Sequence, residues 1–273
     1  MIDKIYSFVE IARLDKPIGI YLLLWPSLLG YVLAVINSEL EFRNFLIVVF
    51  GSILVRSCGC VINDISDYKI DRLVKRTLNR PLALGSISLI EAWLFFLALS
   101  VMSLLLLFET NSLTIKISIF FAFLIILYPL TKRFFVAPQF ILGITFGSGA
   151  IIAYSLESNI FSMSLVILYS GIIAWIISFD TYYSMEDKND DEQIGVNSTA
   201  ILWGDNSIIY SKILHIFFYI CLLTVGLINN FSYLFFHQSK IIKEEKYIEA
   251  FKINNWIGIV ALASFTFEIV YLG

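Results

Sequence analysis

The stretch Asn63-Asp64-Ile65-Ser66-Asp67-Tyr68-Lys69-Ile70-Asp71 follows an almost wholly apolar run at 45–62. Its three carboxylates, Asp64, Asp67 and Asp71, are spaced three and then four residues apart. On a helix those spacings return to one face. The acids therefore come where a membrane helix would meet water. Like charges on one face repel unless something neutralises them. Hard divalent cations prefer carboxylate oxygens, and Mg2+ keeps several waters and is usually shared with substrate phosphates. The pattern points to a metal-bridged phosphate site. The plainer alternative is a solvated helix end.

Composition sets the class. Of 273 residues 59% are hydrophobic and only 15% charged, and the mean hydropathy is +0.83. Soluble domains sit near about 45–50% apolar. The apolar residues gather in charge-free runs at roughly 18–37, 43–62, 88–108, 113–131, 136–156, 160–183, 206–228 and 253–272. Each is close to the ~20 residues that a helix needs to cross a bilayer. The runs do not alternate as barrel strands would. The expectation is an all-α polytopic membrane protein. The net charge of −3 implies no nucleic-acid partner. Cys58, Cys60 and Cys221 lie in apolar runs and read as packing residues. Residues 1–16 read as an amphipathic start rather than a cleavable signal.

Lys and Arg concentrate at the amino terminus and after the second and fourth runs, which places those segments on the cytoplasmic side. A second acidic cluster follows the sixth run. Asp180, Asp187 and Asp191 are seven and then four apart, and Asp180 lies inside the apolar run. A carboxylate inside a membrane helix is a functional candidate by default. Asp67 and Asp187 are 120 residues apart, and Pro17 and Pro138 are 121 apart. A four-helix unit repeated once would explain the offset. It divides a single membrane-embedded domain into halves at 16–135 and 136–252, with a last helix at 253–272, and sets the acidic faces opposite each other across a central cavity. Arg56 lies seven residues before Asn63, about 10 Å deeper at 1.5 Å per residue. An arginine at that depth needs a partner. Its reading is divided between an ion pair with Asp180 or another buried acid and a bidentate contact to a substrate carboxylate.

Two carboxylate faces with flanking cations make a diphosphate site. Asp64, Asp67 and Asp71 are candidates for one metal, Asp187 and Asp191 for another. Arg72, Lys132 and Arg133 are candidates to reach phosphate oxygens. Such charges stabilise a diphosphate leaving group, and the membrane points to a lipid donor. Loss of diphosphate from an allylic lipid leaves a carbocation, which aromatic faces stabilise. Tyr183, three residues on from Asp180, is the aromatic candidate on that face.

These residues resemble the UbiA-type intramembrane prenyltransferases. The match to their NDxxDxxxD signature is Asn63 through Asp71. The longer blocks Gly59 to Asp64, Val74 to Leu82, Tyr128 to Arg133 with Pro138-Gln139 and Leu142-Gly143, and Asp180 to Gly195 with Ser198-Thr199-Ala200 resemble the 4-hydroxybenzoate polyprenyltransferase branch. The resemblance covers about residues 10–205. It implies a nine-helix fold around a central cavity, which with the eight runs counted above makes the expectation eight or nine transmembrane helices, and Mg2+-dependent transfer of a polyprenyl chain from its diphosphate to the ring of 4-hydroxybenzoate, ortho to the hydroxyl, in ubiquinone biosynthesis. It also implies a bacterial or mitochondrial inner membrane, with the site facing the cytoplasm or matrix. In that scheme Asp64, Asp67 and Asp71 form the first metal motif and Asp187 and Asp191 the second. Asn63 joins the diphosphate-binding set and Arg56 orients the benzoate. The base that removes the ring proton stays open between Asp180, Asp191 and released diphosphate. Alternatives are the same enzyme class with another acceptor, such as the quinone-ring, haem, chlorophyll or homogentisate prenyltransferases, or a cation-coupled transporter built from duplicated halves. After about residue 205 the chain departs from the family pattern, and 206–252 reads as one span or a shortened hairpin.

Overall fold

The computed structural model describes residues 2–35, 40–69, 71–72, 77–131 and 134–229. Every regular element among them is helical. They are α1 (Ile2–Ile11), α2 (Ile18–Ala34), α3 (Phe42–Asp67), α4 (Pro81–Leu84), α5 (Leu89–Phe108), α6 (Ser112–Thr131), α7 (Pro138–Gly147), α8 (Gly149–Glu157), α9 (Met163–Ile194), α10 (Thr199–Trp203) and α11 (Ser207–Ile228). A single 3-10 turn at Gly204–Asn206 joins the last two.

The boundaries follow local chemistry. Pro81 and Pro138 open α4 and α7, where a missing N–H goes unfelt. Ser88 and Glu91 cap each other's backbone at the start of α5. Asn111 serves two helices at once. Its Oδ1 accepts from the Thr114 N–H at 2.9 Å at the start of α6, while its Nδ2 donates to the Ser155 carbonyl at 2.7 Å near the end of α8. Gly195, at φ +75°, closes α9 in the left-handed conformation that a side chain would disfavour.

Among the described residues six helical stretches are long and apolar enough to cross a membrane: Phe42–Asp67, Leu89–Phe108, Ser112–Thr131, Pro138–Glu157, Met163–Gln193 and Thr199–Ile228. The 17-residue α2 is equally apolar but shorter. The outer surface of α5 and α6 is a continuous sheath of exposed Leu, Ile, Phe and Val. That surface would be an aggregation liability in water and is at home in hydrocarbon.

Inside, α9 packs along α11, α2 along α8, α3 along α5, and α7 along α9. Trp175 of α9 stacks on Phe218 of α11 with ring centroids 5.0 Å apart and meets Phe179 edge-on at 5.5 Å. All three rings are buried. The α2–α8 contact is closer still, because glycines bring backbones together. A β-carbon on Gly30 would overlap the carbonyl of Ala150, and one on Gly149 would overlap the Ser27 hydroxyl.

The runs from 18–37 to 206–228 each correspond to helix, with two differences. The run at 136–156 is two helices broken at Ser148, which is flanked by Gly147 and Gly149 and whose hydroxyl bonds back to the Thr145 carbonyl at 2.6 Å. The run at 160–183 does not stop at its first acids. It continues as one helix to Ile194, as the shared face of Asp180, Asp187 and Asp191 implies, with no Gly or Pro in the charged half before Gly195. The expected last helix at 253–272 and most of the ambiguous segment after 228 lie outside the described residues, so the count of eight or nine is not decided.

Gly30→Ala should force α2 and α8 apart and cost about 1–3 kcal/mol. The check is thermal melting of the detergent-solubilised protein; an unchanged Tm would show that this seam has slack.

Candidate functional site

The first acidic motif closes α3. Asp64 is 1% exposed, Asp67 3% and Asp71 5%. Asp71 lies past the last residue of α3, and its N–H donates to the Asp67 carbonyl at 2.8 Å, which ties it back to the helix end. These are buried carboxylates and not a solvated helix end.

Their neutralisation is partly built into the chain. Asp64 receives Arg13 Nη2 at 3.0 Å on Oδ2 and Arg80 Nη1 at 3.0 Å on Oδ1. The same Arg80 nitrogen reaches Asp71 Oδ2 at 2.8 Å. Burial pushes the Asp71 carboxyl above the usual carboxylate range, and the Arg80 guanidinium pulls it back. Arg13 reaches Asp64 from a strained backbone. Its φ is +58°, and it is the one non-glycine residue in the left-handed region among those described. That conformation costs roughly 1–2 kcal/mol. It is held by Nη1 donating to the Glu10 carbonyl at 2.8 Å and by the bond to Asp64. The spacing of the acids suggested a cation between them; for Asp64, two arginines already serve.

Arg56 sits deeper in α3. Its guanidinium carbon lies 5.4 Å over the ring of Phe146 in α7, a cation–π contact. Its Nε has no hydrogen-bond partner, and the side chain makes no ion pair among the described residues. The expected alternative of a salt bridge to Asp180 is therefore not formed. The hydroxyl of Tyr128 in α6 lies within electrostatic reach of Asp180, Asp67 and Arg56 together. Tyr128 thus feels the charges of a buried acid from the first motif, of the intramembrane acid of α9 and of the deep arginine.

Along α9, Asp180, Tyr183, Asp187 and Asp191 form a half-buried stripe over about three turns. Thr181 braces it: its Oγ1 lies 2.7 Å from that of Thr199 in α10, whose N–H donates to Gln139 Oε1 of α7 at 2.9 Å. Asn63 is half-buried beside Asp64. Arg72 is exposed; its Nε donates to the Ala83 carbonyl at 3.2 Å and its head lies 5.5 Å over the Tyr68 ring. Lys132 and Arg133 lie outside the described residues. Among the described residues no three His, Cys, Asp or Glu side chains converge as a preformed metal cage.

Sequence reasoning passed over Arg13, Arg80, Tyr128 and Phe146. Arg80 stood in a basic run beside the acids. Tyr128 stood in one of the family blocks. Phe146 carried no signal, being one of 24 phenylalanines.

Fold and site define a polytopic helical membrane protein with an acid-lined internal site. The chain belongs to the UbiA prenyltransferase family, whose pattern matches residues 23–239. It is 38% identical over 268 residues to a 4-hydroxybenzoate octaprenyltransferase of Saccharophagus degradans, covering 93% of this chain and 89% of that one. It is 43% identical over 202 residues to one of Pseudomonas aeruginosa, covering 74% and 68%. Among solved structures it superimposes on a UbiA homolog from Aeropyrum pernix with a TM-score of 0.76 at 22% identity, covering 92% of this chain and 98% of that one. It also matches a UbiA homolog from Archaeoglobus fulgidus bound to GPP and Mg2+, with a TM-score of 0.67 at 17% identity, covering 97% and 95%. At these identities the two structures establish the fold.

Arg80→Ala should destabilise the protein more than Arg13→Ala, because it strips Asp71 as well as Asp64. Breaking a buried pair costs about 3–5 kcal/mol. Melting in detergent reads the difference; equal losses would contradict the shared role of Arg80.

Proposed function

We propose that this protein transfers a polyprenyl group from a polyprenyl diphosphate to the aromatic ring of 4-hydroxybenzoate, ortho to the hydroxyl, in ubiquinone biosynthesis. The observation that carries the reading is Arg56. It is a permanently charged group within a membrane helix, its Nε lacks a partner, and its charge acts on the same tyrosine as those of Asp67 and Asp180. A benzoate carboxylate is the complement it calls for. The names of the relatives support the same acceptor and a prenyl donor.

The donor's diphosphate belongs at the mouth of the site, near Asp67, Asp71, Asp187 and Asp191. These carboxylates, all hard oxygen donors, suit Mg2+, which is typically held by one or two carboxylates plus substrate phosphates and needs no prebuilt cage. Mg2+ bound there would offset the charge of the diphosphate as it leaves. Asp64 is assigned to holding Arg13 and Arg80 in place, since its oxygens are already engaged. Asn63 and Arg72, with Lys132 and Arg133, are the proposed diphosphate contacts. Arg56 holds the acceptor's carboxylate, so the ring extends toward Tyr128, Asp180 and Tyr183. Those aromatic faces flank developing positive charge on the donor carbon. Asp180 or Asp191 takes the ring proton, or released diphosphate does. The distribution of Lys and Arg supports a site opening to the cytoplasm or matrix across an inner membrane.

The test is incubation of membranes with radiolabelled 4-hydroxybenzoate, a polyprenyl diphosphate and Mg2+, with and without EDTA. Prenylated product should form and EDTA should abolish it. Asp67→Ala and Asp187→Ala should each lower turnover by roughly 10²-fold or more while the protein stays in the membrane. Wild-type turnover in either variant would reject the metal assignment.

A further inference from the structure

The guanidinium of Arg56 is flanked by a residue that has no side chain. Gly19, in the first turn of α2, is buried. A β-carbon there would stand 2.7 Å from Arg56 Nε, 2.7 Å from Nη2 and 3.0 Å from Cζ, and these are the three nearest atoms it would meet. Phe146 contributes the other contact, 5.4 Å from ring centroid to Cζ. The arginine head is thus seated against bare backbone from α2 and an aromatic ring from α7.

We propose that Gly19 is a positioning residue for the acceptor: by carrying no side chain it lets the Arg56 guanidinium occupy the place from which it grips the aromatic carboxylate. This rests on the reading of Arg56 given above. Normal van der Waals separation from a methyl group is about 3.5–4.0 Å. A side chain at Gly19 therefore pushes the head away by the better part of an ångström. Displacements of about 1 Å at a binding group cost up to ~10²-fold.

A structural account of Gly19 predicts the reverse. Alanine is the better helix former, by up to about 1 kcal/mol. The clash of Gly19→Ala falls on the far end of a flexible side chain, unlike that of Gly30, which falls on backbone. The variant should therefore fold at least as well as the parent while binding the acceptor less well.

The experiment measures KM for 4-hydroxybenzoate and for the prenyl diphosphate in the parent, Gly19→Ala, Arg56→Ala and the double variant, with melting temperature as a fold control. Methyl 4-hydroxybenzoate serves as the uncharged acceptor. Gly19→Ala is expected to raise the 4-hydroxybenzoate KM about tenfold and to leave the donor KM and the weak use of the ester within about twofold. In the Arg56→Ala background the glycine change is expected to add nothing, since both act through one group. Three results would overturn the inference. If Arg56→Ala raises the acceptor KM and Gly19→Ala does not, Gly19 has no part and the reading of Arg56 stands. If the two effects multiply, Gly19 acts elsewhere. If Arg56→Ala leaves the acceptor KM unchanged, the reading of Arg56 falls and the inference falls with it.

Discussion

The burial of Asp64 constrains everything at one end of the molecule. A carboxylate that is 1% exposed cannot stay charged without compensation. Two arginines distant in sequence supply it, one 51 residues before and one 16 after. To deliver them the chain must fold the end of α1 and the turn before α4 against α3. The apolar residues alongside agree: Ile11, Val61, Ile65, Leu82, Ile87 and Ala92 form one cluster beneath the charges. Polar pairing and hydrophobic burial select the same arrangement, and a fold in which both choices coincide is well specified.

The site has two electrostatic levels. At the upper level Asp64 and Asp71 share Arg80, and the buried Asp67 adds a further carboxylate. At the lower level a single guanidinium stands beside an aromatic ring, with no carboxylate in ion-pair range among the described residues. The first level suits a charge-dense headgroup that brings its own counterions. The second suits a single anionic group on an otherwise apolar molecule. The two levels thus differ in the sense in which a diphosphate and a lone carboxylate differ, on helices held together by packing.

Much of this was legible in the chain. The apolar runs gave the helices because hydrocarbon leaves the backbone few options, and the acidic spacings located the motifs at the end of α3 and along α9. The depth of Arg56 followed from counting residues. What escaped is tertiary. Nothing local says that Arg13 bends into a left-handed turn to reach Asp64, or that Phe146 is the phenylalanine under Arg56. Continuous apolarity also concealed the single-residue interruption at Ser148, since hydropathy does not register it. The reach of α9 past its apolar half was legible in the shared face of Asp180, Asp187 and Asp191; only Asp190 and Glu192, expected in a solvated loop, belong instead to the helix, which runs to Gly195.

The seam between α2 and α8 has a mechanical corollary. Where Gly30 meets Ala150 and Gly149 meets Ser27, no cushion of side chains separates the two backbones. The pair is welded and travels as one strut. Helix α7, which carries Phe146, is joined to that strut through Ser148 alone along the chain, while Gly19 rides on the strut itself. Displacing one helix of the strut therefore displaces the other, and Ser148, itself in helical conformation, carries the chain from the strut into α7.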